Sequence, residues 1–297
     1  MKNVLLAGAN GFIGSFLYNT IKDKYSISAI VNNSKEVKEN FYSIDLTNKN
    51  NVKAFAEKCN YFHALVFLVG LAHKKGKRKE INDFRLINKI TLVNLLSQLE
   101  KQNKLPNKII FASTISVYGE KFNQIKYEEE STKAPISPYA VTKLEAEEYL
   151  LKNYSERSWI LRFAPVYSSN FRLNIQRRTQ LLRGFYRIGN GSKKLSLCNI
   201  KNIGIVVKSI LDNKIPAETY NISDKSEYTY NDLLNHLDAK WVIPIPILLI
   251  KVFYYAGKIF NNTFLKENSI KLISDNTFPS DRIRQYIKMP ALLKDLK

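Results

Sequence analysis

Residues that hold metals are scarce in this chain. It has two cysteines, Cys59 and Cys198, and three histidines, His63, His73 and His236, among 297 residues, with no metal-ligand spacing among them. No metal site is therefore expected. Two distant cysteines suit a reducing compartment better than a disulfide framework. Acidic residues are also few, 26 against 46 lysines and arginines, giving a formal net charge of +20. Nucleic acid and anionic membrane surfaces are the partner classes such a charge suggests. The basic residues, however, are spread along the whole chain. The densest run, "HKKGKRK" (His73–Lys79), is short and has no interleaved aromatics. No nucleic-acid partner is expected, and an anionic small substrate suits the same charge.

No apolar run reaches bilayer length either. "WVIPIPILLIKVFYYAGKIF" (Trp241–Phe260) is interrupted by Pro244, Pro246 and Lys251. It reads as a proline-started helix packing on a core, with a membrane-surface helix as the alternative and no stable membrane insertion. The opening "MKNVLLAGANGFIGSFLYNT" has the apolar content of a secretory leader. Asn10 breaks that run, and no small-x-small cleavage pattern follows it before the polar "NTIKDK". A cytoplasmic protein is expected.

The same opening makes sense as a strand, a turn and a helix. Asn3 to Ala7 is a short apolar strand, and Gly8, Gly11 and Gly14 follow at three-residue spacing ahead of the helix-compatible "SFLYNTIKDK". Glycines let backbone approach a pyrophosphate, and a helix N-terminus offers N–H groups and a positive dipole end. Further strands are expected at Ser26–Val31, Phe41–Leu46, His63–Gly70, Lys108–Thr114 and in "WILRFAP". Helices are expected in "NVKAFAEK", from Glu80 to Gln102, and in "SPYAVTKLEAEEYLLKNY". Alternating strands and helices imply an α/β fold, a parallel sheet wound on both faces. Beyond Tyr167 the chain turns basic, aromatic and irregular, as expected of a smaller C-terminal substrate-binding lobe.

"SPYAVTK" (Ser137–Lys143) carries the chemistry. Tyr139 and Lys143 are one helical turn apart. A neighbouring ammonium lowers a phenol's pKa and makes Tyr139 a usable general acid/base. Thr114, ending the strand in "FASTISVYGE", can share a proton with Tyr139 and a substrate oxygen. Taken singly, Tyr139 is a packing tyrosine, Thr114 a strand-end hydroxyl, Asp45 a helix cap and the arginines from 172 to 187 a solvated face. Together with the glycine trio they describe a site.

"GANGFIG", "FASTISVYG", "SPYAVTK" and "LRFAPVYS" (Leu161–Ser168) together resemble the extended short-chain dehydrogenase/reductase family. Within it the similarity is to nucleotide-sugar epimerases, dehydratases and 4-ketoreductases. The resemblance implies a Rossmann-type NAD(P)-binding domain over 1–167, with about 201–222 returning to it, and a sugar-nucleotide-binding lobe over 168–297. It places the dinucleotide pyrophosphate at Gly8, Gly11 and Gly14, with Asn10, Phe12 and Ile13 completing the turn. Asp45 and Leu46 would meet the adenine, and Asn88 would support the cofactor. Lys143 would bind the nicotinamide ribose as well as tune Tyr139. Thr114, Tyr139 and Lys143 would be catalytic. Thr114 and Tyr139 would also touch the sugar, and Asn170, Arg172, Arg177 and Arg178 would grip the diphosphate. A homodimer is the expected assembly.

Two departures from the family pattern concern packing: "FLVGLAH" replaces a His-Leu-Ala-Ala run, and Thr91 replaces a glycine. Others concern the reaction. Ile115 and Ser116 stand where 4,6-dehydratases carry an Asp-Glu pair and decarboxylases a glutamate, and no cysteine–histidine pair lies near this strand. What remains is 4-ketoreduction or 4-epimerisation of a UDP- or dTDP-linked sugar for surface polysaccharide. The other reading is a non-catalytic dinucleotide-binding module with a basic surface for RNA or protein. Cofactor turnover with nucleotide sugars, against retention on RNA, separates the two.

NAD-specific members carry an acidic residue after the second strand, where this chain has "VNNSKE". Asn32 and Ser34 suit either a hydroxyl or a 2′-phosphate, and Lys35 or Lys38 could neutralise the phosphate, so NADP is favoured slightly over NAD. Asn32→Asp should therefore shift preference towards NAD(H). Titration of both cofactors into both proteins checks this, and strong NAD(H) preference in the unaltered chain would refute it.

Overall fold

A computed structural model describes residues 1–32, 40–71, 81–119, 121–122, 124–181 and 184–296. The basic run His73–Lys79, Ser34, Lys35 and Lys38 lie outside the described residues. The chain divides into two compact units. The first comprises Met1–Thr114, Pro138–Leu161 and Val207–Thr219; the second comprises Ile115–Ser137, Arg162–Val206 and Tyr220–Lys297.

A seven-stranded sheet dominates the fold. Its strands are β1 (Asn3–Ala7), β2 (Ser26–Val31), β3 (Phe41–Ser43), β4 (Ala64–Phe67), β5 (Lys108–Thr114), β6 (Ser158–Phe163) and a last strand, Thr219–Ile222. From edge to edge the order is Thr219–Ile222, β6, β5, β4, β1, β2, β3. β1 pairs in parallel with both β2 and β4, so the winding direction reverses between β1 and β4. Consecutive residues Val4, Leu5, Leu6 and Ala7 are all buried, as a strand covered on both faces requires. Leu5, Leu65, Phe67 and Phe111 pack with Val52 and Phe55 of α2 (following α1, Phe12–Ile21; α2 is Lys49–Lys58). This is a Rossmann-type arrangement.

Three elements differ from the sequence expectation. β3 stops at Ser43 rather than Leu46, because Asp45 turns the chain by accepting from the Thr47 N–H at 2.9 Å. β4 stops at Phe67 rather than Gly70. A side chain at Gly70 would meet the Lys143 ammonium at 3.2 Å. The helix expected up to Gln102 is α3 (Ile81–Arg85), a wide π-helical turn (Leu86–Ile90) and α4 (Thr91–Lys101). Such turns re-aim one residue inward, and here Asn88 is the only buried residue of its turn. α5 (Pro138–Tyr154) then carries Tyr139 and Lys143.

The second unit contains a three-stranded sheet of Gln180–Leu181, Gly184–Ile188 and Val242–Ile245. With it come α6 (Leu173–Thr179), α8 (Tyr230–His236), α9 (Ile247–Ile259) and α10 (Thr263–Ile273), while α7 (Ile200–Leu211) links the chain between α6 and α8. Its core gathers Tyr167, Ile175, Ile188, Leu197, Tyr230 and Leu233. The expected single helix over Trp241–Phe260 is a strand followed by α9. Pro244 occupies an edge strand, where a missing N–H costs nothing, and Pro246 caps the helix start. α9 does not pack into a core along its length: only Ile250 and Gly257 are buried. Among the described residues no helix is long and apolar enough to cross a membrane.

The glycine turn closes tightly over the end of β1. Gly8 takes φ +87°, a region that disfavours side chains, and its N–H donates to the Ile30 carbonyl at 2.9 Å. Gly11 N–H returns to the Gly8 carbonyl at 3.1 Å. A Cβ on Gly14 would lie 2.1 Å from that same carbonyl oxygen, whereas one on Gly11 would lie 3.3 Å from it. Gly14→Ala should therefore destabilise the protein by roughly 1–3 kcal/mol through overpacking, and Gly11→Ala by less. Urea unfolding of the two variants checks the order; equal midpoints would refute the close approach.

Candidate active site

The glycine turn sits at the carboxyl ends of β1 and β4, where the strand order reverses and where open α/β sheets bind ligands. A Cβ on Gly8 would press on the backbone of Leu68 and Val69 at 3.2 Å, so the turn lies directly against the end of β4. α1 has no acidic residue in its first turn, which leaves the positive end of its dipole uncompensated. Side-chain-free backbone at an uncompensated helix start fits a dinucleotide pyrophosphate. Phe12 and Ile13 open that helix, and Asn10 is exposed beside it. The Asn10 amide reaches the Asn32 carbonyl at 3.5 Å, which joins the turn to the end of β2.

The next strand end adds Asp45 and Leu46. Asp45 is exposed and accepts from the Thr47 hydroxyl at 2.6 Å and from its N–H; the hydroxyl bond is the main reason its pKa lies below the usual carboxylate range. It does not cap α2; Asn48 does, accepting from the N–H groups of Asn50 and Asn51. Leu46 is buried, and its carbonyl accepts from Asn94 at 3.0 Å.

Thr114 ends β5, and Tyr139 and Lys143 share a face of α5. The Thr114 hydroxyl is hydrogen-bonded to the Tyr139 phenol and works to lower its pKa, but burial is the larger effect and pushes Tyr139 up to about 12. The expectation that Lys143 draws Tyr139 towards neutrality is not met in this arrangement. Lys143 is turned into the sheet instead. Its ammonium donates to the Ala112 carbonyl at 2.8 Å and to the Val69 carbonyl at 3.3 Å, and lies 4.6 Å from the Phe111 ring centre. The residue is 2% exposed. Desolvation pulls its pKa from 10.5 down to about 7, with the nearby Glu147 carboxylate acting in the opposite direction.

Asn88 is fully buried and pins these parts together. Its side-chain carbonyl accepts from the Leu71 N–H at 2.7 Å, after β4, and its amide donates to the Thr142 hydroxyl at 3.0 Å, on α5. One helix away, Arg85 clamps Glu145 through two bonds of 2.8 and 2.7 Å. α3 and α5 are therefore locked in register around Tyr139.

Sequence reasoning missed Glu147. It is buried, one turn beyond Lys143, and accepts from the Ser113 hydroxyl next to Thr114. Its spacing of four from Lys143, eight from Tyr139, was the available signal: a carboxylate on the buried face of a helix needs a partner.

The remaining candidates belong to the second unit. Asn170 is exposed just before α6, and Arg172 caps that helix. Arg177 and Arg178 lie in its last turn; Arg178 donates to the Asn174 carbonyl at 2.9 Å, and the Arg177 carbonyl accepts from Tyr186 at 3.0 Å. The Nε atoms of Arg172 and Arg187 are shielded from solvent without a hydrogen-bond partner. Arg187, on Gly184–Ile188, was not among the sequence candidates, because a strand arginine in a basic stretch looks like any other.

Comparison with known proteins agrees with this architecture. The pattern of the NAD dependent epimerase/dehydratase family matches residues 4–223. The N-acetyl-alpha-D-glucosaminyl-diphospho-ditrans,octacis-undecaprenol 4-epimerase of Escherichia coli O157:H7 is 28% identical over 255 residues, covering 82% of this chain and 74% of that protein. A putative UDP-glucose 4-epimerase of Methanocaldococcus jannaschii is 30% identical over 177 residues, 55% of this chain and 56% of its own length. Among solved structures, the UDP-Glc/GlcNAc 4-epimerase of Campylobacter jejuni superposes with a TM-score of 0.78 at 19% identity, covering 100% of this chain and 97% of that one, a likeness of fold. With more than half its length matched, and with the glycine turn and the Thr114–Tyr139–Lys143 set in one unit, the chain belongs to the NAD dependent epimerase/dehydratase family.

Proposed function

We propose that this chain is an NAD(P)-dependent enzyme that inverts C4 of a sugar carried on a diphosphate, in the building of surface polysaccharide. The observation that carries the reading is the Thr114–Tyr139 hydrogen bond, one helical turn from a buried lysine. Support also comes from the two relatives, named as 4-epimerases of a lipid-diphosphate-linked and a UDP-linked sugar. A nicotinamide cofactor, when bound, would supply the hydride acceptor and donor.

The chain's own residues handle the proton and the position. Tyr139 takes the C4 hydroxyl proton as the C4 hydrogen leaves, and returns it when hydrogen is restored to the other face. Thr114 holds the same oxygen. Lys143, one turn beyond Tyr139, anchors that helix to β5 through the Ala112 carbonyl, and Glu147 favours its protonated state. Ile115 and Ser116 offer no acid to expel the C6 hydroxyl, so the carbonyl at C4 goes no further than its return. Asn170, Arg172, Arg177, Arg178 and Arg187 are the groups offered to the diphosphate, whose other end is a nucleoside or a polyprenol. Gly8, Asn10, Gly11, Phe12, Ile13, Gly14, Asn32, Asp45, Leu46, Asn88, Tyr139 and Lys143 would hold the cofactor.

Tyr139→Phe should cut kcat by about 10²-fold or more, the scale of a lost general acid/base, while cofactor binding persists. Steady-state turnover with UDP- and dTDP-hexoses and with a polyprenyl-diphosphate hexosamine checks this. Near-normal turnover in the variant would remove Tyr139 from the reaction. Stoichiometric consumption of NADPH by a 4-keto sugar, without inversion, would replace epimerisation by reduction.

The buried lysine gives a second expectation. Unfolded, Lys143 keeps its proton up to about pH 10.5; folded, it releases it near 7. Between those values the unfolded chain binds more protons, so stability rises with pH. The urea midpoint of the unaltered protein should gain on that of Lys143→Met from about pH 7 to pH 10. A pH-independent difference would mean that Lys143 stays charged where it is buried.

A further inference from the structure

α9 has its amphipathic character turned inside out. At about 3.6 residues per turn, Leu248, Leu249, Val252, Phe253, Ile259 and Phe260 fall on one continuous face, and all six are exposed. Leu248 is 72% exposed, and Ile259 and Phe260 are each 78% exposed. Trp241, just before the strand that leads into α9, is 87% exposed, and Phe264 at the start of α10 is exposed too. Scattered exposed apolar residues are ordinary on a protein surface, but a contiguous stripe of this kind marks a contact.

The stripe is held rigidly from behind. A Cβ on Gly257 would lie 2.8 Å from the Lys266 N–H nitrogen, so α9 and α10 touch backbone to backbone. Tyr254 packs edge-on against Phe122 with ring centres 4.7 Å apart, and Ile250 enters the unit's core. Only the opposite side of α9 is left to face outward.

The charges around the stripe decide what it meets. Lys251 and Lys258 are seven residues apart and share one border of it, while Lys240 precedes the hairpin and Lys266 lies within α10. The sole acidic residue between 240 and 273, Glu267, is engaged by Lys271 at 2.5 Å. A second copy of the chain would bring the same excess of lysines to the same border, on top of a net charge of +20 per chain. Anionic lipid supplies what this border lacks: acyl chains for the stripe and negative headgroups for the lysines.

We propose that the α9–α10 hairpin docks this protein on an anionic bilayer surface, with α9 lying in the interface plane and no segment crossing. The docking is read from the hairpin alone. That it brings the enzyme to sugars carried on a polyprenyl diphosphate rests on the C4 reading above.

Flotation of the full-length protein with vesicles tests the docking. Vesicles of phosphatidylcholine containing roughly 30% phosphatidylglycerol should carry the protein upward. Pure phosphatidylcholine should carry much less, and the difference should shrink as salt is raised. Phe253→Ser/Phe260→Ser should weaken the partitioning by about tenfold or more. Lys251→Glu/Lys258→Glu should remove the preference for anionic vesicles. Both variants should keep the urea midpoint and their turnover of a soluble nucleotide-linked sugar. Absence of flotation, or flotation that neither variant changes, would overturn the proposal. So would a lipid-free dimer that becomes a monomer on Phe253→Ser/Phe260→Ser, which would seat a second copy on the stripe. Loss of the C4 reading would show separately, as no turnover of any diphosphate-linked hexose while flotation persists.

Discussion

A buried ammonium organises the first unit. Lys143 is taken out of water at a cost that must be met locally, and three elements meet it: β5 through the Ala112 carbonyl, the end of β4 through Val69, and α5 through Glu147. A side chain at Gly70 would crowd that ammonium, with its Cβ 3.2 Å from the Lys143 Nζ. Ser113 donates to Glu147 from the strand that also delivers Thr114, so the strand end and the helix are tied twice, once at Tyr139 and once about two turns further along the helix. Asn88 adds the third tie, from the wide turn ahead of α4.

The second unit is held by a different kind of constraint. Asp224 is buried and accepts from Tyr167 at 2.5 Å, Tyr228 at 2.9 Å, the Asn199 N–H at 2.8 Å and the Asn202 amide at 2.8 Å. Burial still outweighs these bonds and leaves its pKa raised. Arg162, 1% exposed, donates to the Tyr118 hydroxyl and to the Glu129 carbonyl, while Glu129 accepts from the Asn221 N–H. Irregular chain with short strands has many backbone groups to satisfy, and buried polar side chains satisfy them where a regular sheet would have paired them. Such a unit can present rigid arginines and a rigid apolar hairpin without a large sheet of its own.

The parallel sheet, the glycine turn and the Tyr139–Lys143 pair were legible because each is local. A run of four apolar residues, Val4–Ala7, reads as a doubly covered strand, a three-residue glycine repeat reads as a close backbone approach, and a spacing of four reads as one helix face. The ends of elements were less legible. β3 and β4 were expected to run on to Leu46 and Gly70 but stop at Ser43 and Phe67, and the Asp45 side chain turns the chain after β3. The turn at Asn88 was invisible for the same reason: apolar residues kept helical spacing through it, and its inward asparagine is stabilised only by partners 17 and 54 residues away.

Sequence alone thus determined the alternation of strands and helices, the place of the glycine turn and the sharing of one helix face by Tyr139 and Lys143, since these follow from periodicities shorter than two helical turns. Only the tertiary structure decided where Lys143 points, that Glu147 stands behind it, and that the apolar residues of α9 face outward. Each of those depends on which distant segment fills the space beside the residue. The letters of Ile247–Ile259 are as apolar as a core helix, and their face is settled by Gly257 and Tyr254, which give the inward side to α10 and Phe122.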